Sequence, residues 1–421
     1  MDQPEVLSLY RKATADICRL APITEFIFFA NDSGSGFCWD KNLYPGCNGP
    51  QWCKDHPEKD RVNGFLAAVQ SGAKDAGVDA SVKVNNYQLG ATNTPSKTYS
   101  AGTSNYLWSS KVYPVLGISD PVLFALEAEQ VFAHPEGKWM FGLPSLDYGD
   151  QIALLREFRK MPIAAPLQRA QALQVVATGL VGETNAPNLV EAWQQVHEAI
   201  QTLQQIDNGG PVLLLGSINQ RWLNRPLVPF PLELSPAEKD YYRRFQFQAE
   251  TEADAANLMN CQGLFLIDGD AGTLLGHTLF TDVIKHLDNA RERLSTILQA
   301  NPANDYSLKM DLRLHTLILV VRNADITSRY QCYLDSFRPE WHSKPDHHGY
   351  HTDKEGIALV EEDEANTREL IELLRTSKMP LIAMGSSKEE EDCFLFGPDL
   401  IKQLEKKIET EHNHMPDHFR L

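Results

Sequence analysis

Cysteine is scarce in this chain. Seven cysteines in 421 residues are too few for a disulfide framework to hold a chain of such length. Three of them, Cys38, Cys47 and Cys53, crowd into CWDKNLYPGCNGPQWC with His56 just beyond. The paired Cys-x2-Cys spacing of common structural zinc sites is missing there, and free thiols or one loop disulfide account for the group. An excess of positive charge is also lacking: 39 Lys and Arg face 56 Asp and Glu, a formal net charge of −17. With no Lys/Arg-rich stripe there is no footprint for a phosphate backbone, which excludes nucleic acid as an expected partner. No apolar run has the length a bilayer span needs, so no membrane partner is expected. The opening MDQPEVLSLYRKATADICRL lacks the basic-then-apolar layout of a secretory leader. As written that points to the cytoplasm, and to export if the true start lies upstream. Internal repeats are absent. NDSGSG and YSAGTSN lack both the spacing and the Lys-Ser/Thr end of a phosphate-cradling loop, so no cofactor is expected.

What is present is an alternation of two periods. PEVLSLYRKATADICRL carries apolar residues at helical spacing, and ITEFIFFAND then reads as a strand. EKDRVNGFLAAVQSGAKDAG is an amphipathic helix closed by Gly77, followed by the short strand ASVKVNNYQL. After an irregular stretch over 90–118, DPVLFALEAE reads as a third strand, DYGDQIALLREFRK as a helix and MPIAAPLQ as a last strand. Helices and strands alternating in this order predict parallel βαβ units. From about residue 167 the pattern becomes helical almost throughout. Ser235-Pro236-Ala237-Glu238 fits a capping box with proline at the first helical position. The expected fold class is therefore α/β followed by all-α: a partial (β/α) barrel of about four strand–helix units over 1–166 and a helical C-terminal domain over 167–421. A half-barrel leaves open strand edges, so completion by an upstream barrel half or a partner chain is expected.

The segment AQALQVVATGLVGETNAPNLVEAWQQVHEAI joins a helix, a Gly-Glu turn and an apolar helix carrying Ala192-Trp193 and Glu198-Ala199. It resembles the region after the catalytic barrel in many bacterial glycoside hydrolases of the hexosaminidase-like (family 20 type) and α-glucuronidase-like groups. NTRELIELL, EEEDCFLFGPDLIKQLEKKI and HMPDHFRL are similar to the ends of such chains. The resemblance is strongest over 1–60 and 165–240. It implies a C-terminal portion of a glycoside-hydrolase-like protein that hydrolyses O-glycosyl bonds if its barrel is complete, with carbohydrate as the partner. The alternatives are a non-catalytic carbohydrate-binding or scaffold protein, or a truncated inactive gene product.

Glycoside hydrolysis commonly needs two carboxyl groups, one giving a proton and one acting as nucleophile or base. Asp32, ending FIFFAND, is the first candidate, because the carboxyl ends of barrel strands aim side chains at substrate. Asn31 beside it could hold a sugar hydroxyl. The Asn-then-acid order is similar to that of several barrel glycosidases, although those use Glu and the family 20 pair is Asp-Glu. The competing reading of Asp32 is an Asx turn or helix cap. For the second carboxylate, Glu127 and Glu129 share a face if PVLFALEAE alternates as a strand, and Asp147 is the next candidate. Sugar rings present apolar faces that suit flat aromatic side chains, which makes Trp39, Tyr44, Trp52 and Trp108 candidate substrate-binding residues. His342, His347, His348 and His351 crowd a loop marked by Pro345 and Gly349 and read as exposed rather than as a metal site.

Overall fold

The computed structural model describes residues 3–28, 56–84, 87–88, 115–132, 149–158, 160, 166–206, 223–243, 269–337, 352–387 and 396–421. Contacts divide the chain into two units, Met1–Thr103 and Ser104–Leu421.

The first unit contains α1 (Pro4–Leu20), β1 (Glu25–Phe28), α2 (Glu58–Asp75), β2 (Ser81–Val84) and β3 (Tyr87–Gln88). β1 pairs with β2 in parallel, with Glu25 opposite Ser81 and Phe28 opposite Val84. β3 returns antiparallel along β2. Val62, Phe65, Leu66 and Val69 on α2 pack with Val82, and Leu7, Tyr10, Phe26 and Phe28 close over them. Removing a side chain such as Phe65 from water contributes about 1.5–3 kcal/mol. α1 lies close against α2 at Gly72, where an added Cβ would run into the Arg11 carbonyl and come within 2.8 Å of the Thr14 Cβ. Arg11 forks onto Asp75 across the same pair of helices, Nε–Oδ2 2.6 Å and Nη2–Oδ1 2.8 Å. α2 ends as its sequence announces. Gly77 takes φ +74°, its N–H donates to Lys74 O at 2.9 Å and the Val78 N–H to Ala73 O at 3.0 Å, the paired closure of a glycine C-terminus.

The second unit is helical, and here the sequence expectation is corrected. DPVLFALEAE is not a strand but the start of α3 (Pro121–Phe132). Asp120 accepts the Leu123 N–H at 2.9 Å and Pro121 opens the helix, an N-terminal signal that outweighs the apolar run. That run misleads because residues 121–125 are all buried, and a helix buried all round shows no amphipathic period. The residues read as the last strand lead directly into α5 (Pro166–Val181), while 161–165 lie outside the described residues. Among the described residues the expected partial (β/α) barrel is therefore not formed: they hold one short parallel pair, β1 and β2, and are mostly α.

Among its described residues this unit also contains α4 (Gly149–Phe158), α5, α6 (Ala186–Ile206), α7 (Pro236–Arg243), α8 (Gly269–Ala300), α9 (Asp305–Phe337), α10 (Asp353–Thr376) and α11 (Leu400–His414), with 3-10 turns at Pro231–Glu233 and Met415–Arg420. α8 packs against both α6 and α9, α9 against α10, and α10 against α11. Trp193 on α6 is fully buried in the main core. Asn304 starts α9 by accepting the Ser307 N–H at 2.9 Å and ties it back to α5 by donating to Leu180 O at 2.9 Å. The capping box at the start of α7 forms as read. Glu238 accepts from Ser235 N at 2.8 Å and from Ser235 Oγ at 2.7 Å, and the Glu238 N–H reaches Ser235 Oγ at 3.3 Å.

Candidate functional site

Chemistry-bearing groups gather at several places among the described residues. The first is the carboxyl end of the parallel pair. β1 and β2 end level, Phe28 beside Val84. Phe28 is held edge-on by Phe65, with centroids 4.9 Å apart, and by Tyr10 at 6.5 Å, so packing fixes the point from which the chain leaves β1. Crevices outside the carboxyl ends of parallel strands are where open α/β sheets take ligands. Asn31 and Asp32 follow Phe28 by three and four positions. They lie outside the described residues, as do Trp39, Tyr44, Trp52, Trp108, Asp147, the loop cysteines and the His342–His351 loop. Glu127 lies on α3, not on a strand. On a helix, residues two apart no longer share a face, so the alternation that joined Glu127 to Glu129 does not apply.

The second place is a polar knot in the helical unit. Leu116 and Gly117 both take positive φ, +52° and +87°, in a tight turn closed by Val115 N to Ile118 O (2.9 Å) and Ile118 N to Val115 O (2.8 Å). A leucine in this left-handed region costs about 1–2 kcal/mol, and the turn is buried. It delivers Ser119 and Asp120 to two different partners. Ser119 Oγ donates to Asp150 Oδ2 at 2.8 Å. Asp150 also accepts the Tyr306 hydroxyl at 3.0 Å, and Tyr306 accepts the Trp193 indole N–H at 2.8 Å. Asp120 uses one oxygen to cap α3 and the other to accept Nδ1–H of His197 at 2.9 Å. Burial pulls the His197 pKa down, but the Asp120 hydrogen bond and the charges of Asp120 and Glu198 outweigh it, so the ring holds its proton above the usual histidine value. An imidazole oriented by a carboxylate is the geometry of a general base. Ser119, however, is spent on Asp150, so the bonds described here assemble no nucleophilic relay.

The third place is sealed. Lys407 on α11 and Asp363 on α10 meet at 2.5 Å with both side chains fully buried. Asn323 Nδ2 donates to the other Asp363 oxygen at 2.9 Å. Glu411 accepts the Leu227 N–H at 2.9 Å. Burial first, and Asp363 next, push its carboxyl well above the ordinary range, with Lys407 and the Leu227 N–H pulling the other way. Beside this group Arg225 donates to Gln331 Oε1 at 2.7 Å. His418 Nδ1 faces the Met415 carbonyl at 3.0 Å and its Nε2 faces the Tyr330 hydroxyl at 2.9 Å. A carbonyl can only accept, so the ring carries its proton on Nδ1 and accepts from Tyr330 on Nε2. Burial holds its pKa below the usual value.

The sequence reading missed Asp120, Asp150, His197 and the Lys407 group. One signal was available: Asp120-Pro121 is a helix start. Among the described residues no three His, Cys, Asp or Glu groups gather as a metal site, and no helix is long and apolar enough to cross a membrane. No family model, no curated protein and no solved structure matches the chain.

Proposed function

We propose that this chain is a glycoside-hydrolase-like protein that takes carbohydrate at the carboxyl end of β1. The observation that carries the reading is the level parallel pairing of β1 and β2, with Phe28 clamped by Tyr10 and Phe65 three positions before Asn31. In this reading Asp32 is the proton donor or the carboxylate that orients the reacting group, and Asn31 holds a sugar hydroxyl. Trp39, Tyr44 and Trp52 supply flat apolar faces for sugar rings.

The test is a panel of aryl glycosides and oligosaccharides, read for turnover and for binding. Asp32→Asn is expected to lower turnover by about two to four orders of magnitude, the usual loss for a positioned proton donor, while leaving the melting temperature nearly unchanged. If Asp32 instead caps a turn, the substitution lowers stability by about 0.5–2 kcal/mol and leaves activity intact. A second reading, a non-catalytic carbohydrate-binding or scaffold protein, draws support from the helical unit, where Asp120, Asp150 and Asp363 are all engaged by protein donors. It predicts sugar binding that Trp39→Ala weakens, with no turnover. Absence of binding and turnover across the panel overturns the carbohydrate reading.

A further inference from the structure

We propose that α1 is a dimerisation helix, pairing antiparallel with α1 of a second copy of this chain. α1 has two apolar faces. One, carrying Leu7, Tyr10, Thr14 and Cys18, turns toward α2 and β1. The other consists of Val6, Leu9, Ala13, Ile17 and Leu20. At about 100° per residue these five fall within an arc of roughly 80°, a continuous stripe along the helix. Leu9 is 65% exposed, Ile17 47% and Leu20 87%. Ala13 is exposed as well, and Val6 half-exposed.

The spacing of the stripe identifies its occupant. A twofold interface must present the same patch on both sides, so its pattern has to read identically in both directions. The steps from Val6 to Leu20 are three, four, four and three residues, symmetric about Ala13. Laid antiparallel on its own copy, Leu9 meets the partner's Ile17, Val6 meets the partner's Leu20, and Ala13 meets the partner's Ala13 at the axis. The smallest side chain thus sits where the two backbones come closest.

The charges agree with this register. Glu5, Lys12, Asp16 and Arg19 lie along one flank of the stripe, and the twofold brings that flank against itself. Glu5 falls near the partner's Arg19, which also pairs with Asp16 of its own helix at 2.7 Å, and Asp16 falls near the partner's Lys12. The two lysines next to the axis lie as near the opposing aspartates as each other, and the flank is neutral in sum. A helix of 17 residues is only about 25 Å long, so the pair buries less than the roughly 800 Å² per partner of a standard interface. The expected dimer is therefore a weak, concentration-dependent one.

The full chain tests this by sedimentation velocity over a concentration series reaching on the order of 100 µM. A monomer–dimer equilibrium is expected, and Leu9→Glu with Leu20→Glu should weaken it by roughly tenfold or more. Both positions face solvent, and circular dichroism checks that the fold survives. Register is tested by cysteine cross-linking against the unaltered chain, which carries its own seven cysteines. Ala13→Cys should form a linked dimer quickly under mild oxidation. Leu9→Cys alone should not, but mixed with Ile17→Cys it should. A chain that stays monomeric throughout the series overturns the proposal. So does a dimer that the two glutamates leave unchanged, or Ala13→Cys linking no faster than the unaltered chain.

Discussion

The knot around Asp120 and the interior around Lys407 both bury charge in the same helical unit, yet they handle protons in opposite ways. His197 reaches the surface, with 12% of its side chain exposed, and against the pull of burial the Asp120 hydrogen bond and the charges of Asp120 and Glu198 hold its pKa above the ordinary histidine value of 6.5. His418 is fully buried, faces one carbonyl and one hydroxyl, and burial holds its pKa below the ordinary value. The difference lies in the neighbours. A ring bonded to a carboxylate gains from its proton even after partial desolvation, whereas for His418 the loss of hydration outweighs what the Met415 carbonyl and the Asp417 charge return.

The comparison breaks most visibly at Lys407. Lys407→Met leaves Asp363 buried without its cation, and a buried pair cut on one side costs about 3–5 kcal/mol. Chemical denaturation should show that loss, and adding Asp363→Asn should return much of it. Full additivity of the two changes would mean the pair does not act as a unit. A smaller effect is expected at Tyr330→Phe, which leaves the buried His418 Nε2 without a donor and should cost about 1–3 kcal/mol.

The smallest effects are in pH dependence, and there the two histidines have opposite signs. His418 has a folded pKa below its unfolded value, so its contribution is complete above about pH 6.5 and declines as the pH falls. His197 has a folded pKa above its unfolded value, so its contribution is complete below about pH 6.5 and is lost as the pH rises. Unfolding free energies measured from about pH 5 to 8 should therefore lose the alkaline-side decline in His197→Gln and keep the acid-side one. If His197→Gln flattens the acid side instead, the assignment of protons to the two rings is wrong.

Local signals in the sequence survived into the structure. Gly77 ends α2 in the left-handed conformation only glycine adopts freely, and Ser235 with Glu238 builds the cap that their spacing announces. Both depend on a few neighbouring residues. The strand reading of DPVLFALEAE failed because the buried run 121–125 shows no period that separates helix from strand, and the two residues that would have decided it, Asp120 and Pro121, stand at its edge. The polar groups were illegible for another reason. Asp120 and His197 are 77 positions apart, and nothing local to either announces the other. Glu127 was chosen by a strand geometry that does not exist there, whereas the step from Phe28 to Asn31-Asp32 was read from a strand that does.

The turn at Leu116 has a kinetic consequence. Its carbonyl accepts the Ala383 N–H at 2.9 Å, and between these two residues lies most of the helical unit. The helices from α5 to α10 can gain their local turns and neighbour contacts while that loop is still open. The bond itself must wait until the long loop closes, and closing it costs chain entropy before any contact repays it. The left-handed leucine, closed locally by Val115 and Ile118, then gains this tie late, and residues 115–118 are expected to act as a late clasp and not a nucleus. A destabilising change there should speed unfolding and leave the folding rate almost untouched.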